Sequence, residues 1–327
     1  MKTVETYRII EKNKPDSLAL MDAQMKKALL ADMENFKKIS IEYPHLKDEK
    51  AVYNLARRVW NKNAPPVFAK EDLILDGPCG KLPLRLYRND EKNDKPCIIY
   101  FHGGGFIVGG LDSHDGIVSR LCLYSGANVV AVDYKLAPEF KYPVPLQEAA
   151  FVTDYIRANA SRFRINPELL SYAGDSAGAF ISLGAFLDRR DSGQDVSFIR
   201  TLLLYYGTVG LADSLSRRLY GGYWDGLTFS NLDRYEQAFA DEEKTAAPMI
   251  DRDYTQRMPA TYILGCELDP LADDSKVLHE ILKAKGHTVE FSMKKGYAHA
   301  FLHYSSMLPG AEEALRESAE FFKKYLV

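Results

Sequence analysis

An α/β architecture follows from three features of this 327-residue chain. Short apolar, strand-like runs alternate with longer helical segments. A glycine-bounded serine sits at one strand-to-helix junction, and one long aromatic-rich stretch breaks the rhythm. Alternation of this kind implies βαβ units and a mostly parallel central sheet flanked by helices. The break and the N-terminal segment are expected to supply a helical cap.

The elements follow in order. Met1 to about Pro65 reads as helical. Ser17 is placed to cap a helix through Leu18-Ala19-Leu20-Met21, and Met25 to Phe36 carries apolar residues near a 3.6 period. Pro65-Pro66 ends helix-compatible sequence. Leu73–Leu75 and Leu82–Tyr87 alternate like paired strands around Asp76-Gly77-Pro78. Further strands are expected at Cys97–Phe101, Val129–Val132, Leu169–Ala173, Thr201–Tyr205, Tyr262–Leu264 and Val289–Met293. Leu211 to about Arg257 is too long for an ordinary connection and carries Tyr220, Tyr223, Trp224, Phe229, Tyr235 and Phe239. An aromatic insertion between strands reads as a lid over the C-terminal sheet edge, where ligands sit in open α/β sheets. A surface helix pair with its own small core is the plainer alternative. The expected division is a core of 66–210 and 256–327 beneath a cap of 1–65 and 211–255.

Composition excludes several classes. Net charge is −3, from 42 basic and 45 acidic residues, with no basic stripe, so nucleic acid is not an expected partner. No apolar run reaches the length of a membrane span, and the charged N-terminus lacks a signal-peptide core, so a cytoplasmic protein is expected. Cys79, Cys97, Cys122 and Cys266 form no C-x-x-C pair; Cys97 and Cys266 fall in buried strands as small hydrophobes.

Gly174-Asp175-Ser176-Ala177-Gly178 follows the apolar run Leu169–Ala173 and opens a small-residue helical run. G-x-S-x-G at such a junction is a nucleophile elbow, whose tight turn needs glycine where a Cβ would strike backbone. Upstream, Cys97–Phe101 runs into His102-Gly103-Gly104-Gly105. Downstream come Asp269, after Tyr262-Ile263-Leu264-Gly265, and His299, in Gly296-Tyr297-Ala298-His299. Glycine loop, serine, acid and histidine stand in the chain order of serine hydrolases with this kind of sheet.

At these residues the chain resembles the hormone-sensitive-lipase-like group of α/β-hydrolases, including bacterial acetyl esterases. His102-Gly103-Gly104-Gly105 matches its oxyanion motif, and Asp133-Tyr134-Lys135-Leu136-Ala137-Pro138-Glu139 its D-Y-R-L-A-P-E signature with lysine for arginine. Gly174–Gly178 matches its elbow, and Asp269-Pro270-Leu271-Ala272-Asp273 its acid turn. The resemblance runs from about Leu73 onward and fades between Leu211 and Asp253. It implies the α/β-hydrolase fold and Ser176 as nucleophile, His299 as base and Asp269 as the acid orienting it. It also implies oxyanion donors on the backbone of Gly104, Gly105 and Ala177. His102, Gly103, Gly174, Asp175 and Gly178 are expected as motif support. A serine hydroxyl needs such a base, and the base needs such a carboxylate.

Rivals are few. His303 stands four residues after His299, but H-x-x-x-H lacks the glutamate of H-E-x-x-H and a third ligand, so neither metal nor cofactor is expected. Among Asp269, Asp273 and Asp274, the first directly follows the strand, and Asp273 suits a helix cap. His114 belongs to the start of the helix after the glycine loop. Ala179-Phe180 and Tyr206-Gly207 depart from the family pattern and bear on substrate preference. The expected function is hydrolysis of short-chain, acetyl-type carboxylic esters through an acyl-enzyme, with a small-molecule ester as substrate. A catalytically inactive receptor on the same fold, and an acyltransferase or amidase with the same triad, are the alternatives. Thr288 to Lys294 is an expected edge through which two copies pair.

Overall fold

The computed structural model describes residues 13–240 and 248–326. Helical expectations for 1–12, and the part of the aromatic segment at 241–247, lie outside the described residues. An eight-stranded sheet runs β1-β2-β4-β3-β5-β6-β7-β8. β1 (Ala69–Gly77) and β2 (Gly80–Arg88) form a hairpin closed at Gly77 and Gly80, and β2 pairs antiparallel with β4 (Asn128–Val132). β3 (Lys95–Phe101), β4, β5 (Ile165–Asp175), β6 (Ile199–Tyr205), β7 (Ala260–Leu268) and β8 (Val289–Ala298) are mutually parallel.

Both faces are covered, which is why the central strands read as continuous apolar runs. Cys97, Ile99 and Phe101 pack into the core beneath α5 (Val144–Ala158), α7 (Ala177–Asp191) and α10 (Ala272–Ala284). Ile98 and Tyr100 point the other way, toward α4 (Asp115–Ser125) and α11 (Pro309–Tyr325). The one-turn α6 (Ala160–Phe163) ends at Arg164 in a left-handed conformation, and β5 begins at once, pairing Ile165 with Lys95 before a register shift. β8 continues past Met293 because pairing with β7 persists to Ala298 while Lys294 and Lys295 interrupt its apolar pattern.

Asp16, not Ser17, caps α1 (Ser17–Leu20); its carboxylate accepts from the Ala19 N–H at 3.2 Å, and Ser17 is the first helical residue. Asp22 caps α2 (Ala23–Glu42) and Asp48 caps α3 (Glu49–Asn61). Within the aromatic segment, Ser214 caps α8 (Leu215–Leu219) and Thr228 caps α9 (Phe229–Phe239). The chain turns that follow β3, β5, β7 and β8 carry His102, Ser176, Asp269 and His299, in the crevice where the carboxyl ends of parallel strands meet.

Candidate active site

Ser176 occupies φ 52°, ψ −117°, a conformation costly for any residue with a Cβ. The surroundings enforce it. Its N–H donates to Tyr205 O at 2.9 Å, and a Cβ at Gly178 would overlap Phe101 O. Strand β3 therefore passes directly beneath the start of α7, and only glycine permits that approach.

His299 bridges serine and acid. Its Nδ1 lies 2.7 Å from Asp269 Oδ2 and its Nε2 3.0 Å from Ser176 Oγ. A carboxylate only accepts, so Nδ1 carries the proton and Nε2 is left to receive one from the serine. Asp269 is fully buried, and its Oδ1 accepts the Leu271 N–H at 2.8 Å. The edge of the Tyr206 ring packs on His299 at 5.1 Å.

The neighbouring aspartates work elsewhere. Asp273 does not cap α10, whose N-cap is Leu271. Its carboxylate accepts the Ser216 N–H at 2.7 Å, holding α8. Asp274 is fully buried, accepts the Val209 N–H at 2.9 Å and pairs with Arg217 at 3.3 Å.

The glycine loop is wired to the elbow. Asp175 Oδ1 accepts the Gly103 N–H at 2.9 Å and the Tyr100 hydroxyl at 2.6 Å. A Cβ on Gly103 would stand 2.5 Å from Asp175 Oδ2, so this position also requires glycine. Gly104 and Gly105, both at positive φ, line one cavity with Ser176 and His299, and Ala177 opens α7 beside them. His102 donates from Nδ1 to Gly103 O at 2.8 Å and stacks on Tyr134 at 4.3 Å. Burial, then the adjacent His114, push its imidazole down to about 3, so His102 braces the loop as a neutral ring.

Two outer segments close over this crevice. The turn before α9 packs on the histidine: His299 N–H donates to Asp225 O at 3.3 Å, and a Cβ on Gly226 would meet His299 O at 2.8 Å. From α9, the Tyr235 ring leaves no room for a Cβ on Gly105. The N-terminal helices are fastened by buried Asp32, which takes Trp60 Nε1 at 2.7 Å, Arg57 at 3.1 Å and the Tyr304 hydroxyl at 3.0 Å. The space around Ser176 is about 60 Å³; it adjoins a vestibule of about 530 Å³ lined by α2, α3 and α9, with Tyr53, Arg57, Tyr235 and His299 common to both. Beside the glycine loop, Phe106 stacks on Phe239 at 3.8 Å and Phe180 meets both edge-on.

Sequence reading missed one cluster. His303 does not join His299 in a shared ligand pair; one ligand atom each from His303, His114 and Asp175 lie within 4.8 Å of one another. No local spacing signals this group, because its members stand on three separate segments. Arg57 and Glu148, both buried, likewise gave no sequence signal.

Residues 98–303 match the family described as alpha/beta hydrolase fold. The chain is 40% identical over 281 residues to an acetyl esterase of Salmonella paratyphi B, covering 85% of this chain and 86% of that one. An acetyl esterase of Salmonella typhi matches to the same extent, 40% over 281 residues. Among solved structures, an esterase of Pyrobaculum calidifontis superposes with a TM-score of 0.80 at 28% identity, covering 84% of this chain and 91% of that one.

Proposed function

Because the chain belongs to the α/β-hydrolase family, in its hormone-sensitive-lipase-like group, and is a carboxylic ester hydrolase, we propose that Ser176, His299 and Asp269 carry the reaction. Ser176 Oγ attacks the ester carbonyl as His299 Nε2 takes its proton. Asp269 holds the opposite nitrogen and stabilises the imidazolium. The backbone N–H groups of Gly104, Gly105 and Ala177 receive the oxyanion, each donor contributing on the order of 3 kcal/mol to the transition state. His299 then protonates the departing alcohol, and the acyl group stays on Ser176. Water, deprotonated by His299, releases the acid. The observation that supports this reading best is the placement of His299 between Ser176 Oγ at 3.0 Å and Asp269 Oδ2 at 2.7 Å.

The acyl group is short, of the acetyl type named for the Salmonella relatives. The Phe106–Phe180–Phe239 cluster and Tyr235 leave little space beside the glycine loop, so the larger vestibule, of mixed polar and apolar lining, suits the alcohol half. Among the described residues, segments 13–65, 211–240 and 248–255 act as one cap over a core of 66–210 and 256–326. β8, at the sheet edge, pairs two copies; a light-scattering mass of one 36.9 kDa chain would refute that. Four free cysteines suit a reducing cytoplasm, and no described helix is long and apolar enough to cross a membrane. Hydrolysis of p-nitrophenyl esters from acetate to dodecanoate tests the reading. Rates should peak at the shortest chains and vanish in Ser176→Ala; a peak at dodecanoate would overturn the short acyl pocket, and an unaffected Ser176→Ala would overturn the nucleophile.

A further inference from the structure

A second imidazole–carboxylate cluster adjoins the elbow, on the residue next to Ser176. Asp175 ends β5, His114 is the N-cap of α4, and His303 lies in the 3-10 turn Phe301–Tyr304. They are 1%, 1% and 4% exposed. Their hydrogen bonds place one proton. Ser113 Oγ donates to Gly110 O at 3.0 Å, so it can only accept at 2.9 Å from His114, whose Nδ1 therefore carries the hydrogen. In the neutral ring the lone pair of His114 Nε2 is then bare. That nitrogen has no hydrogen-bond partner, and it faces Asp175 Oδ1 across 3.4 Å. Asp175 Oδ1 already accepts from Tyr100 and Gly103 and brings no proton of its own. Two lone pairs facing each other in a buried setting repel, and a cation between them would remove that cost.

The third member converges on the same point. His303, itself buried, brings a ring nitrogen within 4.8 Å of the ligand atoms of His114 and Asp175. Each ligand has an outer partner that orients it: Ser113 for His114, Tyr100 and Gly103 for Asp175, and Tyr53 at 3.2 Å for His303. Two imidazoles and one carboxylate are a donor set for borderline transition ions, whereas calcium and magnesium prefer oxygen throughout. The widest spacing, up to 4.8 Å, would have to contract by roughly one and a half ångströms for tetrahedral coordination. Asp175 and His303 also line the 60 Å³ space around Ser176, which gives the ion a path from the crevice.

We propose that His114, Asp175 and His303 bind one divalent transition ion of the zinc, cobalt and nickel class, and that its binding suppresses ester hydrolysis. The ion draws on the carboxylate that holds the Gly103 N–H, and it enters the space where the ester must sit. The binding claim stands on the cluster alone; the suppression claim rests on Ser176 being the nucleophile.

The test is titration of metal-stripped protein with Co²⁺, followed by visible absorption, and with Zn²⁺ by calorimetry. One ion per chain should bind, with the d–d bands of four- or five-coordinate cobalt. Turnover of p-nitrophenyl acetate should fall with the same midpoint. His114→Gln and His303→Gln should each weaken binding by about 10- to 100-fold and relieve the suppression. Ser176→Ala, though inactive, should bind as wild type, which separates failure of the metal site from failure of the nucleophile. If His114→Gln does not fold, Ser113→Ala carries the test, with about tenfold weaker binding expected. Absent cobalt bands would overturn the proposal, as would midpoints equal in all variants. So would a ¹⁵N spectrum showing His114 doubly protonated at pH 7 and unmoved by cobalt, since a proton would then fill the gap.

Discussion

Ser176 lies between two histidine–aspartate pairs built from the same side chains and wired in opposite senses. In one, His299 donates a hydrogen bond from Nδ1 to Asp269 at 2.7 Å and turns Nε2 to the serine. In the other, His114 donates from Nδ1 to Ser113, and bare Nε2 meets Asp175 at 3.4 Å. The difference lies in the third partner. Where the carboxylate accepts the Nδ1 hydrogen bond, the ring becomes a base aimed at a hydroxyl. Where a serine takes it, the ring becomes an unsatisfied ligand. Residue types alone would not distinguish the two.

Removing the hydroxyl shared with one pair should have the largest effect. Ser176→Ala should lower kcat by about 10⁴- to 10⁶-fold, leaving only oxyanion and binding contributions. Next comes Asp269→Asn. Its amide favours the wrong tautomer of His299, and kcat should fall about 10⁴-fold with folding intact. The matching change in the other pair, Asp175→Asn, keeps an oxygen for Tyr100 and Gly103. It should cost less than about tenfold in kcat, because no proton passes through that pair. Steady-state kinetics on p-nitrophenyl acetate compares the two directly; equal losses would mean that the pairs are not functionally distinct. Asp175→Ala should do more harm, since it orphans a buried hydroxyl and the Gly103 N–H. We expect about 2–6 kcal/mol of lost stability in urea unfolding, at roughly 1–3 kcal/mol for each of the two unsatisfied groups.

The contrast also marks what the sequence made legible. The sheet could be read because parallel strands buried on both faces keep their apolar runs, as in Cys97–Phe101. Ser176, Asp269 and His299 could be read because each follows its strand directly. His114, Asp175 and His303 form a cluster only in space, so no spacing along the chain marked them. Helix starts failed in a similar way. Ser17 and Asp273 both suit a cap chemically, but Asp16 takes the first role and Ser216 draws Asp273 into fastening α8. Phe180 could be noticed as a departure, yet its edge-on contacts with Phe106 and Phe239 depend on an α9 more than forty residues away in sequence.

The smallest change sharpens the comparison most finely. Tyr53, on α3, ties His303 to the outer helices through one contact at 3.2 Å. Tyr53→Phe deletes that contact and keeps the ring that packs against Arg57. A single hydrogen bond of this kind contributes about 1 kcal/mol, so the urea midpoint should move only slightly. The informative quantity is the coupling. Combined with Asp269→Asn, Tyr53→Phe should have an effect on kcat that adds within about 0.5 kcal/mol, because separate networks do not share partners. Combined with Asp175→Asn, which touches the same cluster, it should deviate from additivity in stability by more than that margin. If coupling instead appeared with Asp269→Asn alone, Tyr53 and His303 would belong to the His299 network, and the two pairs would be one.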